Sequence, residues 1–134
     1  MNWTLEVVVV PVSDVDRAKE FYSEKVGFTV DFDTTIDANS RLVQLTPPGS
    51  GCSIVIGYGV VPAMPPGVLK GLQLVVPDVK AARAELVERG VEVSELTVFG
   101  KNSGKGGELD NVGFVFFSDP DGNGWAVQQI SYER

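Results

Sequence analysis

Val12-Ser13-Asp14-Val15 and Val76-Pro77-Asp78-Val79 begin the two stretches whose comparison decides the fold. In each, an Asp stands directly before an apolar residue of helical period, where its carboxylate can accept from the unpaired N–H groups of a first helical turn. Each pattern then runs to a glycine, Gly27 or Gly90, suited to the left-handed residue that closes a helix. The two Asp residues lie 64 positions apart and the two glycines 63. A spacing kept across cap, helix and stop marks a duplicated supersecondary unit.

Before the first cap, residues 5–12 are apolar at alternate and adjacent positions alike, as in a strand buried on both faces. The helical pattern over 15–26 sets Val15, Ala18, Phe21, Tyr22 and Val26 on one stripe. Strands are expected at 28–33, 41–46 and 52–58, separated by Asp37-Ala38-Asn39-Ser40 and by Pro47-Pro48-Gly49. The second unit repeats the order. A strand at 72–76 leads to a helix at 79–89 with Ala82, Leu86 and Val87 inward, then a strand at 91–98 and a long loop at 99–111. Strands at 113–117 and 125–130 close it, joined by the turn Asp119-Pro120-Asp121-Gly122.

The chain therefore reads as a single α+β domain over residues 1–134, with a βαβββ unit at 1–60, a Pro-rich linker at 61–71 and a second βαβββ unit at 72–134. One short helix per unit cannot cover both faces of its strands. The expected architecture is a half-open, eight-stranded, barrel-like sheet whose uncovered face encloses a cavity or meets another subunit.

Composition narrows the function. The 43% hydrophobic and 22% charged residues suit a globular core, and no apolar run approaches the length of a membrane span. The N-terminal residues carry no basic segment of the secretory type, and the lone Cys52 fits a reducing compartment, so the expected location is cytoplasmic. The net charge of −7 is spread over both halves. Such a surface repels phosphate backbones and anionic lipid, which argues against nucleic acid and membranes as partners, and it favours cationic ligands. The chain has no histidine, which removes His-based acid–base chemistry.

The text of the two units, Val-Ser-Asp-Val-Asp-Arg-Ala-Lys-Glu-Phe-Tyr at 12–22 with Val-Gly-Phe at 26–28, resembles the vicinal oxygen chelate superfamily. So do Pro-Asp-Val-Lys-Ala-Ala-Arg-Ala-Glu-Leu at 77–86, Arg-Gly-Val-Glu-Val at 89–93 and Phe-Ser-Asp-Pro-Asp-Gly-Asn at 117–123. That superfamily includes glyoxalases, extradiol dioxygenases, fosfomycin-resistance enzymes and bleomycin-binding proteins. The resemblance implies the glyoxalase/bleomycin-resistance/dioxygenase fold and a homodimer that pairs open sheets. It also implies a divalent-metal position on each of four strands. Placed by distance from the anchors, these fall at Val7, Val55, Leu72 and Ala126. None offers the oxygen or nitrogen donors such an ion needs, so no metal and no other cofactor is expected. A slip of one residue on two strands would instead present Glu6 and Gln73 beside Gln128, a poor three-ligand set.

Filling the metal positions with hydrocarbon points to a mostly apolar pocket for a small apolar or amphipathic ligand, cationic ones included. Val9, Leu74 and the strand at 113–117 extend it, and Arg41, Gln44 and Gln128 supply its polar contacts. Phe116 and Trp125 join the candidates, although alternation alone leaves open whether Phe114/Phe116 or Val115/Phe117 faces the pocket. The Gly-rich stretch 100–107 lacks the spacing and following helix of a phosphate loop, and is expected to be a mobile flap. The expected function is binding and sequestration without a metal, as in antibiotic-resistance proteins of the bleomycin-binding kind. The alternative is a glyoxalase-like lyase or isomerase, working without metal or through an unusual site, with Glu6, Tyr22, Tyr58 or Arg41 in its chemistry. A third possibility is a dimerising scaffold with a vestigial cavity.

Overall fold

A computed structural model describes residues 1–133 and resolves two compact units. The first comprises Met1–Leu69 together with Asp119–Asn123, and the second comprises Lys70–Ser118 and the chain from Gly124 onward.

In the first unit, β1 (Val7–Val9) leads to α1 (Val15–Glu20), which continues into a π-helical turn over Phe21–Lys25. Three strands follow: β2 (Thr29–Asp37), β3 (Ser40–Thr46) and β4 (Ser53–Tyr58). The sheet order is β1-β4-β3-β2, with β1 parallel to β4 and the other pairs antiparallel. The second unit has β5 (Leu72–Val76), α2 (Val79–Glu88), β6 (Thr97–Val98), β7 (Gly113–Ser118) and β8 (Gly124–Gln129). Its order, β5-β8-β7-β6 with β5 parallel to β8, repeats that of the first. Both sheets are mixed, each carries one long helical segment, and neither closes on itself.

The caps form as the sequence dictates. Asp14 accepts from the Arg17 amide and Asp78 from the Ala81 amide, each at 3.0 Å. Gly27 and Gly90 take left-handed backbone, with φ of 90° and 83°, to turn the chain out of each helix. The first helix departs from the α-helical expectation over its last turn. The Val26 amide reaches back five residues to the Phe21 carbonyl at 3.0 Å, widening the helix where Phe21 and Tyr22 both enter the core.

Alternation gives each sheet one covered and one open face. On the first, Val10, Val43, Leu45, Ile54 and Ile56 are buried toward α1. On the second, Val115, Phe117, Trp125 and Val127 are buried toward α2, with Phe117 and Trp125 stacked at 6.0 Å.

Two expected strands are shorter, and one expected core residue is differently placed. The strand at 5–12 shrinks to Val7–Val9, because β1 is a sheet edge paired only with β4; Leu5 is 69% exposed rather than buried on both faces. The strand at 91–98 survives only as Thr97–Val98 and a bridge between Val93 and Phe117. Ser94 interrupts it. Its hydroxyl accepts from the Phe116 amide at 2.9 Å while its carbonyl is taken by Arg83 Nε, so a side chain replaces a ladder carbonyl. Val87, expected inward, is half exposed because Val79 and Leu86 carry the buried stripe of α2.

Candidate functional site

The open face of the second unit is read from register. Phe116 lies opposite Ala126, Phe114 opposite Gln128, and Gln73 beside Ala126. Paired residues share a face, so Gln73, Ala126, Gln128, Phe114 and Phe116 stand together. This settles the two-way choice in β7: Phe114 and Phe116 face outward, and Val115 and Phe117 face α2.

The three phenylalanines there form one cluster. The Phe114 and Phe116 rings are stacked with centroids 6.1 Å apart and planes within 7°. Phe99, from the segment just past β6, meets both edge-on at 5.4 and 6.4 Å. Phe99 is 57% and Phe116 38% exposed, an unusual cost for so much ring surface. Beside them Gln73 Nε2 donates to Gln128 Oε1 at 2.8 Å, and Gln128 Nε2 donates to the Asn111 carbonyl at 2.9 Å.

Behind this face, the loop at 99–111 is pinned rather than the free flap expected. Asn102 Nδ2 donates to the carbonyls of Lys105 and Gly107, and Asn111 Nδ2 donates to Asn102 Oδ1. The buried Asp110 carboxylate accepts from the Gly107 and Ser131 amides, the Ser131 hydroxyl and Gln129 Nε2. Those donors, the Ser131 hydroxyl first and then the Gly107 amide, hold its pKa down to about 2. Asn111 sits in left-handed backbone at φ 69°, fixed by its own side-chain bonds.

The open face of the first unit carries Val7 and Val9 from β1, Ser53 and Val55 from β4, Leu42, Gln44 and Thr46 from β3, and Phe32 from β2. At its end a cleft of about 180 Å³ is bounded by Val9, Gly57, Tyr58 and the segment through Met64. That is below the volume of a drug-sized pocket, so the broad open faces, not this cleft, are the surfaces with room for such a ligand.

Of the residues expected at the site, Val7, Val9, Gln44 and Val55 share the first unit's open face, and Phe116, Ala126 and Gln128 share the second's. Four do not. Leu72 pairs with Trp125 and Leu74 with Val127, which puts Leu72, Leu74 and Trp125 on the α2 side. Arg41 points toward α1, its guanidinium bonded to Asp33 at 3.0 and 2.8 Å and to Asp16 at 2.8 Å. Counting back from the helix cap misjudged the phase of β5 by one residue, and one residue exchanges the faces. Among groups weighed for catalysis, Tyr22 is buried with its hydroxyl on Asp119, whereas Glu6 and Tyr58 are exposed. Phe114 is here as one arm of the two-way choice in β7, and Gln73 stands beside Gln128 as the one-residue slip on β5 would place it. Phe99 was not among the expected residues, and nothing local marks it.

The register also tests whether a divalent metal fits. Val7, Val55 and Ala126 offer hydrocarbon, and the β5 position becomes Gln73, whose amide oxygen is the single donor atom among the four. Among the described residues no three His, Cys, Asp or Glu side chains gather. The donor set does not suit such an ion.

Two βαβββ units, each with one helix-covered and one open face, define an α+β protein of the glyoxalase type. The Glyoxalase/Bleomycin resistance protein/Dioxygenase superfamily pattern matches residues 4–127, and the chain belongs to that superfamily. Among solved structures it is similar to TnmS3, an antibiotic binding protein from Streptomyces sp. CB03234, at 38% identity over 96% of each chain with a TM-score of 0.73. It is similar to a glyoxalase/bleomycin resistance protein from the same organism, at 39% identity over 94% of this chain and 100% of that one, TM-score 0.71. A superfamily member from Sphaerobacter thermophilus DSM 20745 aligns at 28% identity over 96% and 98%, TM-score 0.76. The comparison with curated proteins found no match. No helix among the described residues is long and apolar enough to cross a membrane.

Proposed function

We propose that this protein binds and sequesters a small apolar or amphipathic molecule with a flat aromatic part, without a metal. The observation that carries this is the exposed Phe99–Phe114–Phe116 cluster flanked by the Gln73–Gln128 amides. Rings held in contact with one another present a rigid surface on which a planar ligand stacks at little entropic cost, and the amides orient its polar edge. The similarity to a protein named as antibiotic binding, at 38% identity, supports the same class of ligand. Hydrocarbon at the metal positions leaves nothing there to polarise a carbonyl or stabilise an enediolate. We place the protein in the cytoplasm, where its single thiol stays reduced, and read it as a homodimer; Trp3, 88% exposed, and Leu5 are apolar groups a partner copy would cover.

Titration calorimetry with a panel of polycyclic aromatic natural products tests this. Binding is expected for members of the panel, weakened about tenfold or more in Phe99→Ala and Phe116→Ala proteins that remain folded. Binding indifferent to both substitutions would remove the aromatic surface from the reading. Turnover of an oxoaldehyde–thiol adduct with added nickel or zinc, stopped by a chelator, would replace it with an enzyme.

A further inference from the structure

The open face of the first unit carries a carboxylate within its strands, Asp31, that no cation answers among the described residues. Asp31 sits at a β-bulge, between the Val30–Leu45 and Phe32–Gln44 pairs, so its side chain is turned onto the same face as Phe32 and Gln44. Gln44 Nε2 donates to Asp31 Oδ2 at 3.2 Å, and the Thr46 hydroxyl donates to the same oxygen. With the Thr46 proton so committed, the Ser53 hydroxyl, itself buried, donates to Thr46 Oγ1 at 2.6 Å. A three-residue chain, Ser53 to Thr46 to Asp31, therefore aims and polarises the carboxylate.

The remaining oxygen, Asp31 Oδ1, accepts from no side chain among the described residues, and Asp31 forms no ion pair there, whereas Asp33 two residues on is paired with both Arg41 and Lys19. Arg41, Lys19 and Asp16 all lie on the α1 side of the sheet. The other carboxylate by register on the open face, Asp37, is at the hairpin end and caps the Asn39 amide. Next to Asp31 the face offers the Phe32 ring, 40% exposed, then Leu42 on β3 and, at the far side of the sheet beyond the buried Val55, Val7 and Val9 on β1.

We propose that Asp31 is an anchor for a protonated amine: an ammonium pairs with Oδ1 against the Phe32 ring while the ligand's apolar body lies across the face over Leu42 toward Val9. A fixed carboxylate beside an aromatic face is the arrangement that recognises an organic cation, and a net charge of −7 draws one in. This extends the small-molecule reading to the first unit's own open face, for amine-bearing compounds, and it rests on that reading.

The test uses a matched pair, aminomethylanthracene and hydroxymethylanthracene, titrated calorimetrically into the full chain and into Asp31→Asn. The amine is expected to bind the unaltered protein about tenfold more tightly than the alcohol at low salt. Asp31→Asn should abolish that preference and leave alcohol affinity unchanged, with an unaltered unfolding midpoint showing that the fold is intact. Equal affinity for the two compounds, or a preference that Asp31→Asn leaves in place, overturns the anchor while the aromatic surface of the second unit stands. If neither compound binds but neutral members of the natural-product panel do, the anchor is likewise refuted.

Discussion

Tyr22→Phe removes one oxygen from the core of the first unit. Tyr22 is fully buried, and its hydroxyl donates to Asp119 Oδ2 at 2.7 Å. Asp119, also buried, takes Asn123 Nδ2 on the same oxygen at 2.7 Å, and the Asp121 and Asn123 amides on the other, each at 2.9 Å. Asn123 in turn donates to the Pro11 carbonyl and accepts from the Leu69 amide. The network ties the π-helical turn, the end of the first strand segment, the Pro-rich connection and the Asp119–Asn123 turn into one unit. The phenyl ring keeps its edge contact with Phe21 at 5.2 Å and its stack on Phe28 at 5.7 Å, so packing is retained and the loss is one hydrogen bond to a charged acceptor. Such a bond is worth about 2 kcal/mol, since the carboxylate stays buried with one donor fewer. For a chain of this size that lowers the unfolding midpoint by roughly 6–10 °C. Scanning calorimetry, checked for two-state behaviour, reads the effect, and a double-mutant cycle with Asn123→Ala isolates the coupling. A midpoint moved by less than about 1 °C would show that the bond is not what holds this turn, and the reasoning would fail.

Asp110 gives a pH signature. Its pKa in the folded protein, about 2 against the ordinary 3.8, means that the folded state favours the charged form, so its stabilisation is present above about pH 4 and lost as pH falls toward 2. In Asp110→Asn, thermal stability should be lower near neutrality and its acid slope between pH 4 and 2 flatter; an unchanged slope refutes the assignment. Gly106 has φ of 95°, and a methyl group there would strike the Asp110 carboxylate and the Tyr132 ring. Gly106→Ala should therefore cost more than about 1 kcal/mol and speed tryptic cleavage after Lys101 and Lys105, whereas resistance equal to the unaltered protein would mean the loop is held otherwise. Asp33→Asn is expected to do far less. Arg41, then Lys19, hold its carboxyl well below the usual range, but the group is near the surface, so the loss should stay under about 1 kcal/mol and shrink in high salt.

The repeat, both caps, both closing glycines and six of the eight strands were legible in the sequence because they depend on neighbours within a few residues. An Asp caps the helix that follows it whatever the rest of the chain does, and Asp14 and Asp78 both do so. Membership of the superfamily followed from the same local text. Faces were harder. Val7, Val9, Gln44 and Val55 kept their expected phase, while Leu72, Leu74, Trp125 and Arg41 did not, because strand alternation converts an error of one residue into the opposite side of the sheet.

What the tertiary structure alone decided is which side chains meet across strands and loops. Ser94 breaks the sixth strand through a bond to Phe116, twenty-two residues away in the chain. Phe99 joins the Phe114–Phe116 stack from outside any periodic segment, and the bulge at Asp31 turns a carboxylate onto the open face of the first sheet. Helix starts and stops are written in short-range chemistry. Register, bulges and cross-strand neighbours are fixed only when the hydrophobic faces are buried together, and the candidate site is built from those.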